Sequence, residues 1–164
     1  MNEKIKLPDD LLNIDPDIID NYCREKGKLF AEGESEDGNR KKNKVTKSKL
    51  RNFFSKVDSI RTYYRNPGKD SLDEFYNKIR REIILVKPTL AYAYGRDKNL
   101  KNFYYATLEL IQKSIKSLDN ELQMKKEKQE KEKKEPDYKF ESLDNFFTII
   151  EGFVAYHKFY GGQE

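Results

Sequence analysis

Apolar residues recur at helical spacing over most of the chain. The first run begins after Asp15, which suits an N-cap because Pro16 follows at the first helical position, and it ends by Gly33. A second run begins after Thr46 and ends at Asn66, and its apolar residues follow the i, i+3, i+4, i+7 spacing of one helix face. They are Leu50, Phe53, Phe54, Val57, Ile60 and Tyr64. The pattern predicts two amphipathic helices.

A third helix should begin at a capping box, in which Glu74 follows Ser71 by three residues. We expect it to break at Lys87, because the next residue, Pro88, has no amide hydrogen and its ring clashes with the preceding turn. Pro88 then suits the first position of a short helix, TLAYAY, which Gly95 would close in a left-handed conformation.

The longest run of helical spacing starts near Asp97 and reaches Leu122. Six Lys and four Glu follow between residues 125 and 135 without an apolar face, so this part either extends the helix into solvent or is disordered. A last, aromatic-rich helix should be capped near Ser142 and stop at Gly161 and Gly162.

These elements predict a single all-α domain over residues 1–164, a compact bundle of about five long helices plus one short helix, with no sheet. Three segments stand apart from the helices. Residues 1–14 form an N-terminal arm, residues 33–45 a flexible loop, and residues 123–138 a charged helix extension or a disordered segment.

Charge is distributed unevenly along the chain. The net charge is only +4, yet residues 44–61 hold six basic residues against one acidic residue, whereas residues 8–38 hold ten acidic residues against three basic ones. The folded molecule should therefore carry a basic face and an acidic face. A basic face that is presented by a packed helix suits a polyanion, although a solvated helix face would have the same composition.

The sequence offers little for catalysis. His157 is the single histidine, and it lacks a partner in any known catalytic or metal-binding spacing, so we predict no enzyme activity, no cofactor and no metal site. Packing or a hydrogen bond at the helix end is the simplest role for His157, and a ribose or phosphate contact is the alternative.

The lone Cys23 excludes an internal disulfide and fits a reducing compartment. We therefore expect a cytoplasmic protein without a signal peptide or a membrane span.

Several tyrosines lie off the strongest apolar stripes. Tyr63, Tyr92 and Tyr105 are candidates for surface exposure, where they could stack on bases or contact another protein.

Three sequence blocks resemble a known family. The blocks VTKSKLRNFFSKV at residues 45–57, LAYAYGR followed by LKNFY at residues 90–104, and VAYHKFYGG at residues 154–162 occur in this order. They are similar to the small subunit of type III-A CRISPR effector complexes, the Csm complex. The resemblance covers residues 45–118 and 142–162, and the terminal block is its most specific part.

The resemblance implies a helical bundle without an active site. Several copies would stack as an inner filament beside the backbone and large subunits, and a basic face would contact CRISPR RNA and target RNA. Cleavage would belong to the other subunits, so this one would position RNA and support it electrostatically.

Basic residues within the matching blocks are the first candidates for RNA contact: Arg51, Lys87, Arg96 and Lys158. Neighbouring basic residues are weaker candidates: Lys47, Lys49, Arg61 and Lys101. Contacts from Lys and Arg to phosphate oxygens fix position without reading bases, so the pairing with the guide would supply specificity.

Two other functions stay open at this point. The basic face could bind acidic surfaces of partner proteins, which would make the chain an interaction adaptor. The third hypothesis is a ribonuclease that uses His157.

Overall fold

The computed structural model describes residues 4–35, 41–132 and 135–162. Five long helices account for most of this part: α1 at Pro16–Glu32, α2 at Lys47–Arg65, α3 at Leu72–Arg96, α4 at Lys101–Glu132 and α5 at Glu141–Phe159. A three-residue 3-10 helix, Lys98–Leu100, lies between α3 and α4. The described ranges contain no strand, only an isolated bridge between Glu34 and Lys42. The predicted all-α fold is confirmed.

Side chains cap the first three helices as the sequence predicts. The carboxylate of Asp15 accepts a hydrogen bond from the amide of Asp17 at 2.8 Å. The Thr46 and Ser71 hydroxyls accept from amides three residues further along, at 3.3 and 3.2 Å. Each cap satisfies an amide that would otherwise lack a partner inside its helix.

The predicted break at Pro88 is wrong. Helix α3 continues through Pro88 to Arg96, so there is no separate TLAYAY helix and Gly95 does not close one. Pro88 has no amide hydrogen to donate to the backbone carbonyl one turn earlier in the helix. Because Pro88 is exposed, water can donate to that carbonyl instead. Val86 and Leu90, on either side, are both buried against neighbouring helices. Packing along the whole face therefore outweighs the local cost of the proline.

Four helices form a closed ring around the core. Helix α2 packs against α3, α3 against α4, α4 against α5, and α5 again against α2. Helix α1 lies outside this ring and packs against α5 and α4. The core contains many ring-to-ring contacts, including Phe30 with Phe103 and Phe153, and Phe53 with Phe103. One continuous core thus connects all five helices.

Helices α1 and α5 run parallel at close range because glycines lie between them. A Cβ atom added at Gly152 would overlap Cys23, and one added at Gly27 would overlap Tyr156. The contact moves from Cys23 to Gly27 along α1 as it moves from Gly152 to Tyr156 along α5, so the two helices run in the same direction. The close approach buries Cys23, and this burial raises the pKa of its thiol to about 12, with a smaller contribution from Asp20.

The segments outside the helices are only partly covered by the structure. In the N-terminal arm, Leu7 and Leu11 are buried, and the Leu11 amide donates to the Ser117 hydroxyl at 2.9 Å. In the loop predicted over residues 33–45, positions 36–40 lie outside the described residues. Helix α4 continues into the charged stretch as far as Glu132, and residues 133 and 134 lie outside the description.

Helix α5 begins at Glu141, one residue before the predicted cap at Ser142. Among the helices in the described ranges, none is both long enough and apolar enough to cross a membrane.

Candidate nucleic-acid interface

A groove with basic sides opens where α2, the C-terminal half of α3 and the start of α4 meet. Its volume is about 390 Å³. We call it the cationic groove, and its lining is Lys49, Asn52, Phe53, Lys56, Thr89, Leu90, Tyr92, Ala93, Arg96, Leu100, Phe103 and Tyr104. The LAYAYGR block at the end of α3 contributes Leu90, Tyr92, Ala93 and Arg96 to this lining.

Three cations from two helices converge on the cationic groove. Lys49 and Lys56 are seven residues apart, which puts both on the same side of α2. Arg96 comes from the last turn of α3. Helix α3 thus completes a positive rim that α2 alone does not have.

The polar contacts at the rim leave two of these charges without an acidic partner. Lys49 pairs with Asp97 at 3.6 Å. The Lys56 ammonium instead donates to the Thr89 hydroxyl at 3.4 Å, and one Arg96 nitrogen donates to the Tyr92 hydroxyl at 3.5 Å. Within the described ranges, no carboxylate forms an ion pair with Lys56 or Arg96. The rim therefore has a net positive charge.

Of the eight candidate RNA-contacting residues, the structure brings Lys49 and Arg96 together in the cationic groove. Arg51 is exposed on α2, but it lies two residues from Lys49 and so points to a different side of the helix. Lys47 is half-buried at the first turn of α2.

The remaining candidates are spread over other helices. Lys87 is half-buried on α3, and Lys158 is exposed in the last turn of α5. Lys101 is exposed at the start of α4, near Glu34. Hydrogen bonds from Asn43 and Asn102 lower the pKa of Glu34, and the charge of Lys101 lowers it further. The eight residues are distributed over four helices, and their role in RNA contact stays a prediction.

Arg61 differs from the other candidates because two carboxylates neutralise it. It pairs with Asp58 at 2.8 Å and with Glu151 of α5, and its side chain is only 18% exposed. The Arg61 guanidinium also lies 5.9 Å from the centre of the Phe54 ring. These contacts join α2 to α5, so Arg61 has a clear structural role.

His157 is placed for packing. It is 2% exposed, and its Nε2 lies 2.7 Å from the carbonyl oxygen of Val45. The backbone of Gly162 covers the imidazole, because a Cβ atom added there would overlap the ring. Tyr156, the preceding residue, contacts Gly27 of α1. The VAYHKFYGG block therefore fixes the end of α5 against α1 and the segment before α2.

The prediction of surface-exposed tyrosines is confirmed for two of the three residues. Tyr92 is 67% exposed and Tyr105 is 55% exposed. Tyr63 is half-buried, which corrects the prediction, because it packs on Phe75 and donates a hydrogen bond to Asp70. Burial, together with Asp70, raises the pKa of Tyr63 to about 12.

Sequence reasoning left several groove residues out of the candidate set. Lys56 shares the i, i+7 spacing with Lys49, and this spacing could have selected it. Asn52 lies on the same face of α2, three residues after Lys49. Thr89 and Tyr104 have no such signal, because only the packing of three helices brings them to the groove.

Comparison with known proteins identifies a family. The family model Csm2 Type III-A matches residues 24–163, which include every helix that lines the cationic groove. No curated protein and no solved structure matches the chain.

Proposed function

Since the chain belongs to the Csm2 Type III-A family and is therefore the small subunit of a type III-A CRISPR effector complex, we propose that it binds RNA through the cationic groove and catalyses no reaction. The partners would be CRISPR RNA and target RNA, the backbone and large subunits, and further copies of the chain in a filament. Its contribution would be to hold RNA in position within the complex.

The observation that carries this proposal is the convergence of Lys49, Lys56 and Arg96 on one groove. Their backbones belong to helices that the core fixes, so the points from which these side chains extend are set before RNA arrives. Rigid support reduces the entropy that binding would otherwise cost. Two of these cations have no acidic partner within the described residues, so they are free to neutralise phosphates.

The exposed cations outside the groove would extend the contact. Arg51 and Lys158 would meet RNA at other points of its path through the complex, or meet RNA that a neighbouring copy holds. Because such contacts address phosphate and sugar, they would position RNA without selecting a sequence. The guide would supply the sequence specificity by base pairing.

A charge-reversal pair tests the proposal. Lys56→Glu combined with Arg96→Glu should reduce the affinity of the purified protein for a short RNA at least about tenfold, because it removes two phosphate contacts and adds repulsion. The matched control is Lys69→Glu combined with Lys116→Glu, which makes the same change in net charge at exposed lysines outside the groove. Affinity would be measured by fluorescence anisotropy at fixed salt.

The same variants separate RNA binding from an adaptor function. If the groove variant binds RNA as the native protein does but no longer assembles with the other subunits, the groove is a protein-binding surface and the proposal is wrong. If the groove variant and the control lose affinity equally, binding depends on net charge alone and the groove is not the site.

A further inference from the structure

The floor of the cationic groove has a chemistry that phosphate contacts do not require. Phe53, Leu90, Leu100 and Phe103 are each between 3% and 7% exposed, and all four line the groove. The rings of Phe53 and Phe103 meet edge to face at 5.0 Å. The groove thus combines an apolar, partly aromatic floor with a cationic rim.

One aromatic side chain stands at the rim without a role in the core. Tyr92 is 67% exposed, and its ring centre lies 5.7 Å from the guanidinium carbon of Arg96. Among the described residues, its hydroxyl accepts a hydrogen bond only from the same Arg96, four residues along α3. Tyr104 of α4 also lines the groove, and its ring packs on the ring of Tyr94 with 5.0 Å between the ring centres. The lining of the groove therefore includes one exposed tyrosine ring, that of Tyr92, and one tyrosine ring that packs on another, that of Tyr104.

We propose that the cationic groove holds an unpaired base of single-stranded RNA, with the adjacent phosphates on Lys49, Lys56 and Arg96. This inference rests on the proposed function and specifies the form of RNA that the groove accepts. A base has a flat apolar face for the floor and for Tyr92, and its nucleotide carries the negative charge that matches the rim. The volume of about 390 Å³ falls within the range of pockets that bury small ligands.

The geometry disfavours a paired strand in the same place. In an A-form duplex the base faces are stacked, and only 2′-hydroxyls, base edges and phosphates are accessible. Such a surface could reach the rim but not the apolar floor. The polar groups at the rim, Asn52 and Thr89, include both donors and acceptors, so they can meet the edge of any base. The site would select unpaired RNA without selecting a sequence.

A fluorescent base gives a direct test with the full-length protein. The probe is a short single-stranded oligouridylate with one central 2-aminopurine, used alone and annealed to its complement. The native protein should quench the 2-aminopurine in the single strand and bind this strand about tenfold more tightly than the duplex, because one stacked base accounts for that difference. Tyr92→Ala should abolish the quenching and the preference.

Two matched variants control for indirect effects. Tyr92→Phe keeps the ring and should keep both the quenching and the preference. Tyr105→Ala removes a tyrosine that is similarly exposed but lies outside the groove, and it should behave as the native protein does. Circular dichroism would establish that each variant is folded.

The outcomes separate this inference from the proposed function. Equal affinity of the native protein for both RNA forms, unchanged in Tyr92→Ala but lost in Lys56→Glu with Arg96→Glu, would overturn the base site and leave phosphate binding intact. Quenching that only Tyr105→Ala removes would place the stacked base elsewhere and would also overturn it. Absence of binding to either RNA form would overturn both proposals. The groove would then be a site for an aromatic side chain of a partner protein.

Discussion

Two glycines at the interface of α1 and α5 set the distance between these helices. A Cβ atom at Gly27 would overlap Tyr156 and lie 2.9 Å from the backbone nitrogen of His157. Backbone atoms cannot move aside as a flexible side chain can, so the helices would have to separate. Separation would also disturb the contact of His157 with the Val45 carbonyl. In the terminal block, Tyr156 and His157 therefore serve close packing against α1 and the segment before α2.

We expect Gly27→Ala to destabilise the protein by about 1–3 kcal/mol, because overpacking outweighs the better helix propensity of alanine. Gly95→Ala is the matched control, since Gly95 is also helical but has nothing within 4 Å of an added Cβ atom. This second change should stabilise the protein by up to about 1 kcal/mol. Urea unfolding measures both. Stabilisation of equal size in both variants would show that α1 and α5 do not approach closely at Gly27.

At the scale of the element, α5 depends on a residue of another helix for its start. Its N-cap position is Phe140, which has no capping side chain. Glu121 of α4 replaces the missing cap: its carboxylate accepts hydrogen bonds from the amides of Glu141 and Ser142, at 2.7 and 3.0 Å, and from the Ser142 hydroxyl at 2.7 Å. A buried negative charge at a helix N-terminus also interacts favourably with the helix dipole.

Replacing this acceptor should therefore destabilise the fold. We expect Glu121→Ala to reduce the free energy of unfolding by about 2 kcal/mol, because amide donors at the start of α5 lose a charged acceptor. Glu121→Gln keeps one carbonyl oxygen and should lose less. The control is Glu127→Ala, at an exposed position further along α4. A loss in Glu121→Ala no larger than in the control, measured by urea unfolding, would mean that water caps α5 equally well.

Element boundaries differ in how far the sequence predicts them. Asp15, Thr46 and Ser71 cap their own helices, and such local hydrogen bonds can be recognised from nearby residues. The start of α5 is set by Glu121, twenty residues away in the chain, and no local pattern indicates this contact. Pro88 is the opposite case. The local sequence strongly predicts a helix break there, but the burial of residues on both sides of Pro88 keeps α3 continuous.

For the whole molecule, the arrangement of charges counts more than the total. The net charge is only +4, and Arg61, which adds to the basic stretch along the sequence, is paired with Asp58 and Glu151 in the fold. Three cations remain together at the cationic groove. Under the proposed function, one copy would offer few phosphate contacts, and strong binding would require several copies that act on one RNA.

The salt dependence of binding measures the number of these contacts. For single-stranded RNA the slope of log affinity against log salt is about −0.7 per neutralised phosphate, so three or four contacts predict a slope of about −2 to −3 for an isolated copy. Lys56→Glu with Arg96→Glu should make this slope shallower, whereas the Lys69→Glu and Lys116→Glu control should leave it unchanged. A slope more negative than about −6 in an isolated copy would mean a much larger RNA interface than the groove.

The sequence by itself determined the helical class, most helix positions and the family, because apolar spacing, side-chain caps and short blocks of residues are local features. Tertiary structure alone decided which basic residues lie together. Lys49, Lys56 and Arg96 line one groove because α3 packs beside α2, and Arg61 is paired with Glu151 because α5 packs against α2. Such contacts depend on the packing of distant segments, since the energy that fixes them comes from burial across the whole core and not from neighbours along the chain.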